Sequence, residues 1–398
     1  MKVLCYVFSF FQLLAVSSAK NLQYFAQITD THIDMDFASD TADNCLLHKT
    51  GMPCCRKNQI DRKPFTITTK WGVQSCDTSP YLFQTSVSWM KNNLPELDFI
   101  INTGDSADHH LLFQSRDGNL KAITFVQDVL RSVFPRTPIL NVLGNHDAFP
   151  IDQTITQHFM YPQIASSWNL TDNQRDTFIR GGFYRHDISE KLTVFVINSV
   201  FFDQWNIESK YLSQQDFRGQ FEWIEAQLQE CHDEGRTVWF LNHEPPRSRN
   251  SDGKYDWYTQ KLIEVANVHN IEYQFFGHEH YDRFVLYGKR VGFITPSFLP
   301  ADHNPSFRLY EYNGTHISDY IQYYANLTTV ISSDDLHFEQ LYRFSHVFGG
   351  APTYVTYTNY FESLQTNSTL YDEFCSHYWV GGTQSCGDKA SFIQRLQI

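Results

Sequence analysis

The sequence predicts an α/β fold, and two observations carry that expectation. Short apolar runs of strand length alternate with longer stretches of helical periodicity. Five of the apolar runs, at 24–28, 98–101, 138–143, 237–241 and 273–276, are each followed at once by side chains able to hold a metal ion. These are Asp30 and His32, then Asp105, then Asn145 with His146 and Asp147, then His243, then His278 and His280. Ligands of open α/β sheets collect in the crevice outside the carboxyl ends of the strands. The five blocks are therefore expected at one edge of one sheet system.

Taken in order, residues 1–19 read as a secretory signal: Lys2 supplies the positive end, 3–16 the apolar stretch, and Ser17-Ser18-Ala19 small residues for cleavage. No later run approaches the roughly 18 apolar residues of a membrane-spanning helix, and the C-terminus lacks the hydrophobic tail of a lipid-anchor signal. After the first block, 40–80 is irregular and rich in Cys, Lys and Thr, as a disulfide-pinned insertion would be. A helix is expected over 80–94, with Leu82, Val87, Trp89 and Met90 on its buried face, and another over 120–133. The run 192–197 is a buried strand; helices at 217–231 and 258–269 precede the fourth and fifth blocks. Short strands at 292–295 and 308–312 complete the sheets. A helical, aromatic cap then follows, giving three segments: 1–19 signal, 20–331 catalytic domain and 332–398 C-terminal helical subdomain.

Composition narrows the function classes. The chain has 398 residues, 42% hydrophobic and 16% aromatic, which is enough to build a large core. A net charge of -13 and no basic block argue against a polymeric nucleic acid as the main partner, while leaving room for a nucleotide-sized substrate. Sequons at Asn169, Asn313, Asn326 and Asn367 agree with export to give a glycoprotein. Of eight cysteines, Cys5 leaves with the signal; the other seven would mostly pair in an oxidising compartment, Cys375 with Cys386 as the best local pair and one Cys left over. No Cys-x-x-Cys spacing supports a zinc site made of cysteines.

Asp, His, Asp, Asn, His, His and His are enough donors for two cations, and a two-cation site most often hydrolyses phosphate esters. Two divalent ions neutralise phosphoryl oxygens and provide hydroxide near neutral pH, and a further acid must protonate the leaving oxygen. Asp105 follows a glycine that permits a tight turn, so its carboxylate can sit centrally. Asp30 and His32, like His278 and His280, are two apart and share a side of extended chain. If Asn145 points into the site, His146 points elsewhere, as suits a general acid. Asp108 and Asp147 are expected to orient a neighbouring His, and Asp34 and Asp36 to be solvated by the loop. Tyr184 and Trp168 fit a cleft or the core equally well. Isolated histidines at 48, 158, 186, 232, 269, 303, 316, 337, 346 and 377 are read as packed or solvated.

The five blocks resemble the calcineurin-like metallophosphoesterases, whose pattern is Asp-x-His, Gly-Asp, Gly-Asn-His-Asp/Glu, His, then Gly-His-x-His. Within that superfamily the chain is similar to the acid sphingomyelinase-like phosphodiesterases. The stretches Cys76-Asp77-Thr78-Ser79-Pro80-Tyr81, Gly181-Gly182-Phe183-Tyr184, Phe221-Glu222-Trp223-Ile224 and His243-Glu244-Pro245-Pro246 extend the likeness over nearly the whole mature chain. The resemblance implies a β-sandwich flanked by helices with a C-terminal helical cap. It further implies one zinc held by Asp30, His32, Asp105 and His280, and a second by Asp105, Asn145, His243 and His278; Mn or Fe suits similar shells. His146 is then the proton donor and His109 a second active-site histidine, with His110 beside it leaving the register open.

Two departures from that family stand out. The expected mature start leaves no room for an amino-terminal saposin domain, which favours small soluble diesters or nucleotide derivatives and weakens, without removing, a sphingomyelin or other phospholipid-headgroup activity. The C-terminal half-cystines are also thinner than the family pattern. The reading is a secreted, zinc-dependent phosphodiesterase working outside the cell or in an acidic compartment such as the lysosome, its oligomeric state unspecified. The alternatives are a phosphomonoesterase or nucleotidase, and a metal-stabilised binding protein without catalysis. Purple acid phosphatases are disfavoured because no Tyr follows Gly104-Asp105 at their spacing.

Overall fold

The computed structural model describes residues 22–46, 52–154, 159–203, 205–207, 215–246, 253–301, 303–381 and 386–397. The expected signal, His48 and His158 lie outside them. The strands are β1 (Gln23–Ile28), β2 (Phe99–Asn102), β3 (Ile139–Asn141), β4 (Tyr184–Asp187), β5 (Leu192–Val196) and β6 (Thr237–Leu241), then β7 (Tyr273–Phe276), β8 (Arg283–Tyr287), β9 (Arg290–Ile294), β10 (Ser306–Tyr312), β11 (Ile317–Tyr324) and β12 (Glu339–Arg343). They form two six-stranded sheets, ordered β12-β11-β10-β1-β2-β3 and β4-β5-β6-β7-β9-β8. In the first sheet β1, β2 and β3 run parallel; in the second, β5, β6, β7 and β9 do. All five strands that lead into the Asp, Asn and His blocks are thus parallel to a neighbour in their own sheet.

The two sheets face each other across an aromatic core. Phe25 of β1 stacks on Phe99 of β2 at 4.7 Å and Tyr310 of β10 at 4.5 Å, and meets Trp239 and Phe275 of the opposite sheet at 5.4 and 5.8 Å. Strand alternation sends the next residue the other way: Ala26 and Ile28 lie with Leu82, Val87 and Val126 under the outer helices. Each buried Ile, Leu or Val side chain there contributes roughly 1.5–3 kcal/mol.

The helix α1 (Pro80–Asn93) begins where Ser79 accepts from the Leu82 amide and Pro80 fills the first position, a favourable start because proline lacks the donor that a helix leaves unpaired there. Leu82, Val87 and Met90 are buried as expected; Trp89 is half-buried and packs on Phe338 at 5.2 Å. The helix α2 (Arg116–Val133) starts four residues before the expected 120–133 because Ser115 caps it. On the second sheet, Gln220–Asp233 and Gly253–Val268 bury Phe221, Ile224 and Leu262 against Phe195, Phe240 and Phe276.

The C-terminal segment is helical from Phe344 onward, but it also supplies β12, which pairs antiparallel with β11 and covers its edge. Its aromatic residues fill core instead of forming a surface: Phe284 of β8 meets Tyr357 at 4.7 Å and Phe374 at 5.8 Å. Tyr184 and Trp168 are core residues too, the first with its hydroxyl on the Asn141 backbone, the second against Phe178. Arg308 of β10 is buried beneath this cap and ion-pairs with Asp282 at 2.7 Å, while Tyr342 donates to the other Asp282 oxygen at 2.7 Å.

Among the described residues, three disulfides join Cys45–Cys54, Cys55–Cys76 and Cys375–Cys386, and Cys231 is free and buried. Among the described residues no helix is long and apolar enough to cross a membrane.

Candidate metal centre

Because β1, β2 and β3 are parallel, their carboxyl ends coincide, and the turns that follow carry Asp30 and His32, Asp105, and Asn145 with His146. The ends of β6 and β7 bring His243, His278 and His280 from the other sheet. Cross-sheet hydrogen bonds close the seam. The His243 Nδ1–H donates to the Thr103 carbonyl at 2.8 Å, and the His278 amide donates to both Asp30 oxygens at 3.0 Å.

The turns are sharp enough to force unusual backbone. Asp30, His32, Asp105, His278 and His280 all have positive φ, between 38° and 68°. Non-glycine residues rarely occupy that region, and such conformations gather at functional sites. Gly104, at φ 102°, admits the turn before Asp105 and lies against Gly144 and His243.

Two clusters of donor atoms result. In one, His32 Nε2 lies 3.2 Å from His280 Nε2, 3.6 Å from Asp105 Oδ2 and 3.9 Å from Asp30 Oδ1; His280 Nε2 lies 3.4 Å from Asp30 Oδ1. In the other, His243 Nε2 lies 3.2 Å from Asp105 Oδ2 and 3.0 Å from Asn145 Oδ1, which is 3.1 Å from His278 Nδ1. Asp105 belongs to both, as a shared carboxylate must. The groups Asp30–His32–Asp105 and Asp105–His243–His278 each converge closely enough to hold an ion.

Neighbouring contacts prepare these donors. His32 donates from Nδ1 to the Ala107 carbonyl at 2.8 Å, so its Nε2 lone pair, like that of His243, is turned inward. Asn145 donates from Nδ2 to Asp152 at 2.8 Å, which leaves its carbonyl oxygen in the cluster. Burial pushes the His32 imidazole well below its usual range and keeps it an unprotonated donor.

Above the first cluster sit two further rings. His109 stacks on His32 at 3.8 Å, and His146 meets His109 edge-on at 4.4 Å. His110 packs on Phe113, so of the two adjacent histidines it is His109 that lies against His32. The two rings differ in support. His146 Nδ1 is buried with no hydrogen-bond partner among the described residues, and burial with the adjacent His109 pushes the ring down to about 4. His109 Nδ1 lies 2.7 Å from Asp77 Oδ1, and although burial opposes it, Asp77 raises the His109 pKa.

Three expectations about carboxylates need correction. Asp147 orients no histidine: its two oxygens accept from the amides of Gly144, Asp105, Ser106 and Ala107, which knits the second and third blocks together. Asp108 accepts from the His110 amide and pairs with Arg56 at 2.7 Å. Asp34 is buried, not loop-solvated, and pairs with Arg56 at 2.8 Å; only Asp36 is exposed. Asp77 went unassigned because it is 32 positions from His109 in an irregular segment, where no periodicity reveals the partner. Of the remaining histidines in the described residues, His186 bonds Gln174, His303 bonds Ser297, and His377 stacks on Tyr342.

Beside His109 and His280 a cleft of about 430 Å³ opens between the disulfide-linked insertion and the segment after β9, with Met52, Pro53, Leu299 and Ala301 on its walls.

Residues 24–282 match the family model described as calcineurin-like phosphoesterase. Among curated proteins, sphingomyelinase phosphodiesterase C of Dictyostelium discoideum is 29% identical over 86% of this chain and 82% of its own length. The human cyclic GMP-AMP phosphodiesterase SMPDL3A is 26% identical over 89% of this chain and 86% of its own length. Of solved structures, a dimetal phosphatase from Danio rerio aligns with a TM-score of 0.46 at 14% identity, over 75% of this chain and 95% of that one.

Proposed function

We propose that this chain, which belongs to the calcineurin-like phosphoesterase family and is a phosphoester hydrolase, acts as a secreted, zinc-dependent phosphodiesterase on small soluble diesters or nucleotide derivatives. The observation that carries the reading is the pair of donor clusters sharing Asp105. Their chemistry fits two divalent ions: three carboxylate or carboxamide side chains and four imidazoles, with the inward nitrogens of His32 and His243 set by backbone carbonyls. Asp30, His32, Asp105 and His280 would hold one ion, and Asp105, Asn145, His243 and His278 the other. When bound, such a pair supplies positive charge to the phosphoryl oxygens and a nucleophile near neutral pH.

The chain's own residues supply the rest. His109 and His146 stand over the first cluster, where the ester oxygens of a bound diester would lie, and give the protonation of the leaving oxygen its two candidates. The burial of Asp30, His32 and His243 keeps water from competing for those donors. Relatives named sphingomyelinase and cyclic GMP-AMP phosphodiesterase support a diester over a monoester. Three disulfides support an oxidising compartment, outside the cell or in the lysosome.

The test is hydrolysis of bis(p-nitrophenyl) phosphate and of p-nitrophenyl phosphate from about pH 4 to about pH 8, the span over which histidines titrate. Parallel samples are chelated and then restored with zinc, manganese or iron. Faster diester turnover that is lost on chelation and best restored by zinc is expected. Turnover indifferent to chelation, or confined to the monoester, would overturn the reading; metal and ligand binding without turnover of any ester would point to a binding protein.

A further inference from the structure

The stretch Cys76-Asp77-Thr78 provides none of the proposed metal donors, yet it is built into the site. The Thr78 amide donates to the His32 carbonyl at 3.0 Å, and the Asp34 amide to the Thr78 carbonyl at 3.0 Å. Ile33 forms parallel bridges with Thr78 on one side and Ala107 on the other. The chain end that carries His32 is therefore flanked by the segments bearing Asp77 and His109.

Asp77 spends both oxygens on one residue. Its Oδ2 accepts from the His109 amide at 2.8 Å, and its Oδ1 lies 2.7 Å from His109 Nδ1. The carboxylate is buried, with a side-chain exposure of 3%. The anchorage behind it is covalent, because Cys76 is bonded to Cys55. The residue following each half-cystine grips one of two consecutive residues: Arg56 holds Asp108 at 2.7 Å, and Asp77 holds His109.

We infer that Asp77 is a positioning residue for the proposed diester hydrolysis, holding His109 by Nδ1 so that Nε2 is the nitrogen offered to substrate. A carboxylate accepts a proton but has none to donate while ionised, so it selects the Nδ1–H form of the ring and fixes its plane. Without it, either nitrogen could carry the proton and the ring could turn. The inference rests on the hydrolytic reading above, and its test separates the two.

The experiment compares wild type, Asp77→Asn, Asp77→Glu, His109→Gln and the double variant Asp77→Asn/His109→Gln, all metal-loaded. It measures kcat and KM for bis(p-nitrophenyl) phosphate, bound metal, and the histidine Nδ1 proton by nitrogen-15 NMR. Asp77→Asn is expected to lower kcat by roughly 10- to 100-fold, the usual effect of removing a partner that orients a site imidazole. KM and metal content should stay near wild type, Asp77→Glu should recover part of the loss, and the double variant should be no slower than the slower single one.

An Asp77→Asn enzyme of undiminished kcat would overturn the inference. So would a double variant whose loss is the product of the single losses, or a loss that follows departure of metal. If wild type turns over no diester, the hydrolytic reading fails on its own. The Nδ1 proton of His109 then decides the positioning: its disappearance in Asp77→Asn supports it, and its persistence overturns it.

Discussion

Gly144 packs its α-carbon against the Asp105 carboxylate so closely that a side chain there would overlap Asp105 Oδ1. The shared carboxylate of the two clusters is thus held on one side by the absence of a methyl group. Gly144→Ala is expected to displace Asp105 from both clusters at once. Metal content by elemental analysis should fall below two equivalents, with affinity down roughly 10- to 100-fold, a loss of the size seen when a ligand's supporting partner is removed. Two fully retained metals in that variant would show that the carboxylate has somewhere else to go.

Asp147 is the second support of the same turn. Truncating it strands buried amides of Gly144, Asp105, Ser106 and Ala107, each of which would be left without an acceptor. Asp147→Ala is expected to lower unfolding free energy by about 3 kcal/mol or more, since one unsatisfied buried donor alone costs about 1–3 kcal/mol. Asp147→Asn keeps one carbonyl oxygen and should lose less. Chemical denaturation of the two variants ranks them.

The Arg308–Asp282 pair joins β10 to the residue before β8 with both charges buried. Removing one partner leaves the other charge uncompensated, so Arg308→Met should cost about 3–5 kcal/mol. Arg308→Met combined with Asp282→Asn should recover much of that loss. Equal destabilisation by the single and double variants would mean that Tyr342 and Gln322, which also hold this pair, dominate.

His377, which is not among the proposed metal donors, sets a pH dependence of its own. Its ring stacks on Tyr342 at 4.5 Å, and burial pushes its pKa down to about 4. The unfolded chain, with an ordinary pKa near 6.5, therefore binds the proton more readily than the fold does. Stability is unaffected above that value and falls as pH drops from about 6.5 towards about 4, below which the loss levels off. His377→Gln should flatten the melting temperature over that window. An unchanged slope would place the acid sensitivity elsewhere.

Much of this site was legible because each block is local. Asp30 and His32, or His278 and His280, are two residues apart beyond an apolar run, and a parallel strand delivers both to one edge wherever it lies in the sheet. Residues whose meaning depends on distant partners were not legible. Asp147 looked like a companion of His146 by adjacency, but the turn at Gly144 faces it towards four amides. Asp34 looked solvated until Arg56, from the disulfide-linked insertion, was found over it. The strand β11 escaped because Tyr320, Ile321 and Gln322 are all buried, which erases the alternation that marks a one-sided strand.

The donors of both clusters come from opposite sheets: Asp30, His32, Asp105 and Asn145 from one, and His243, His278 and His280 from the other. Cations bound there would act as rivets across the sandwich. Their binding energy would be spent on keeping the halves shut, and the melting temperature would climb with free metal in the logarithmic way of any ligand that binds only the native state. Either half folded alone holds an incomplete set of donors, so a nascent chain would gain its affinity for metal abruptly, after the residues near 280 have joined the first sheet.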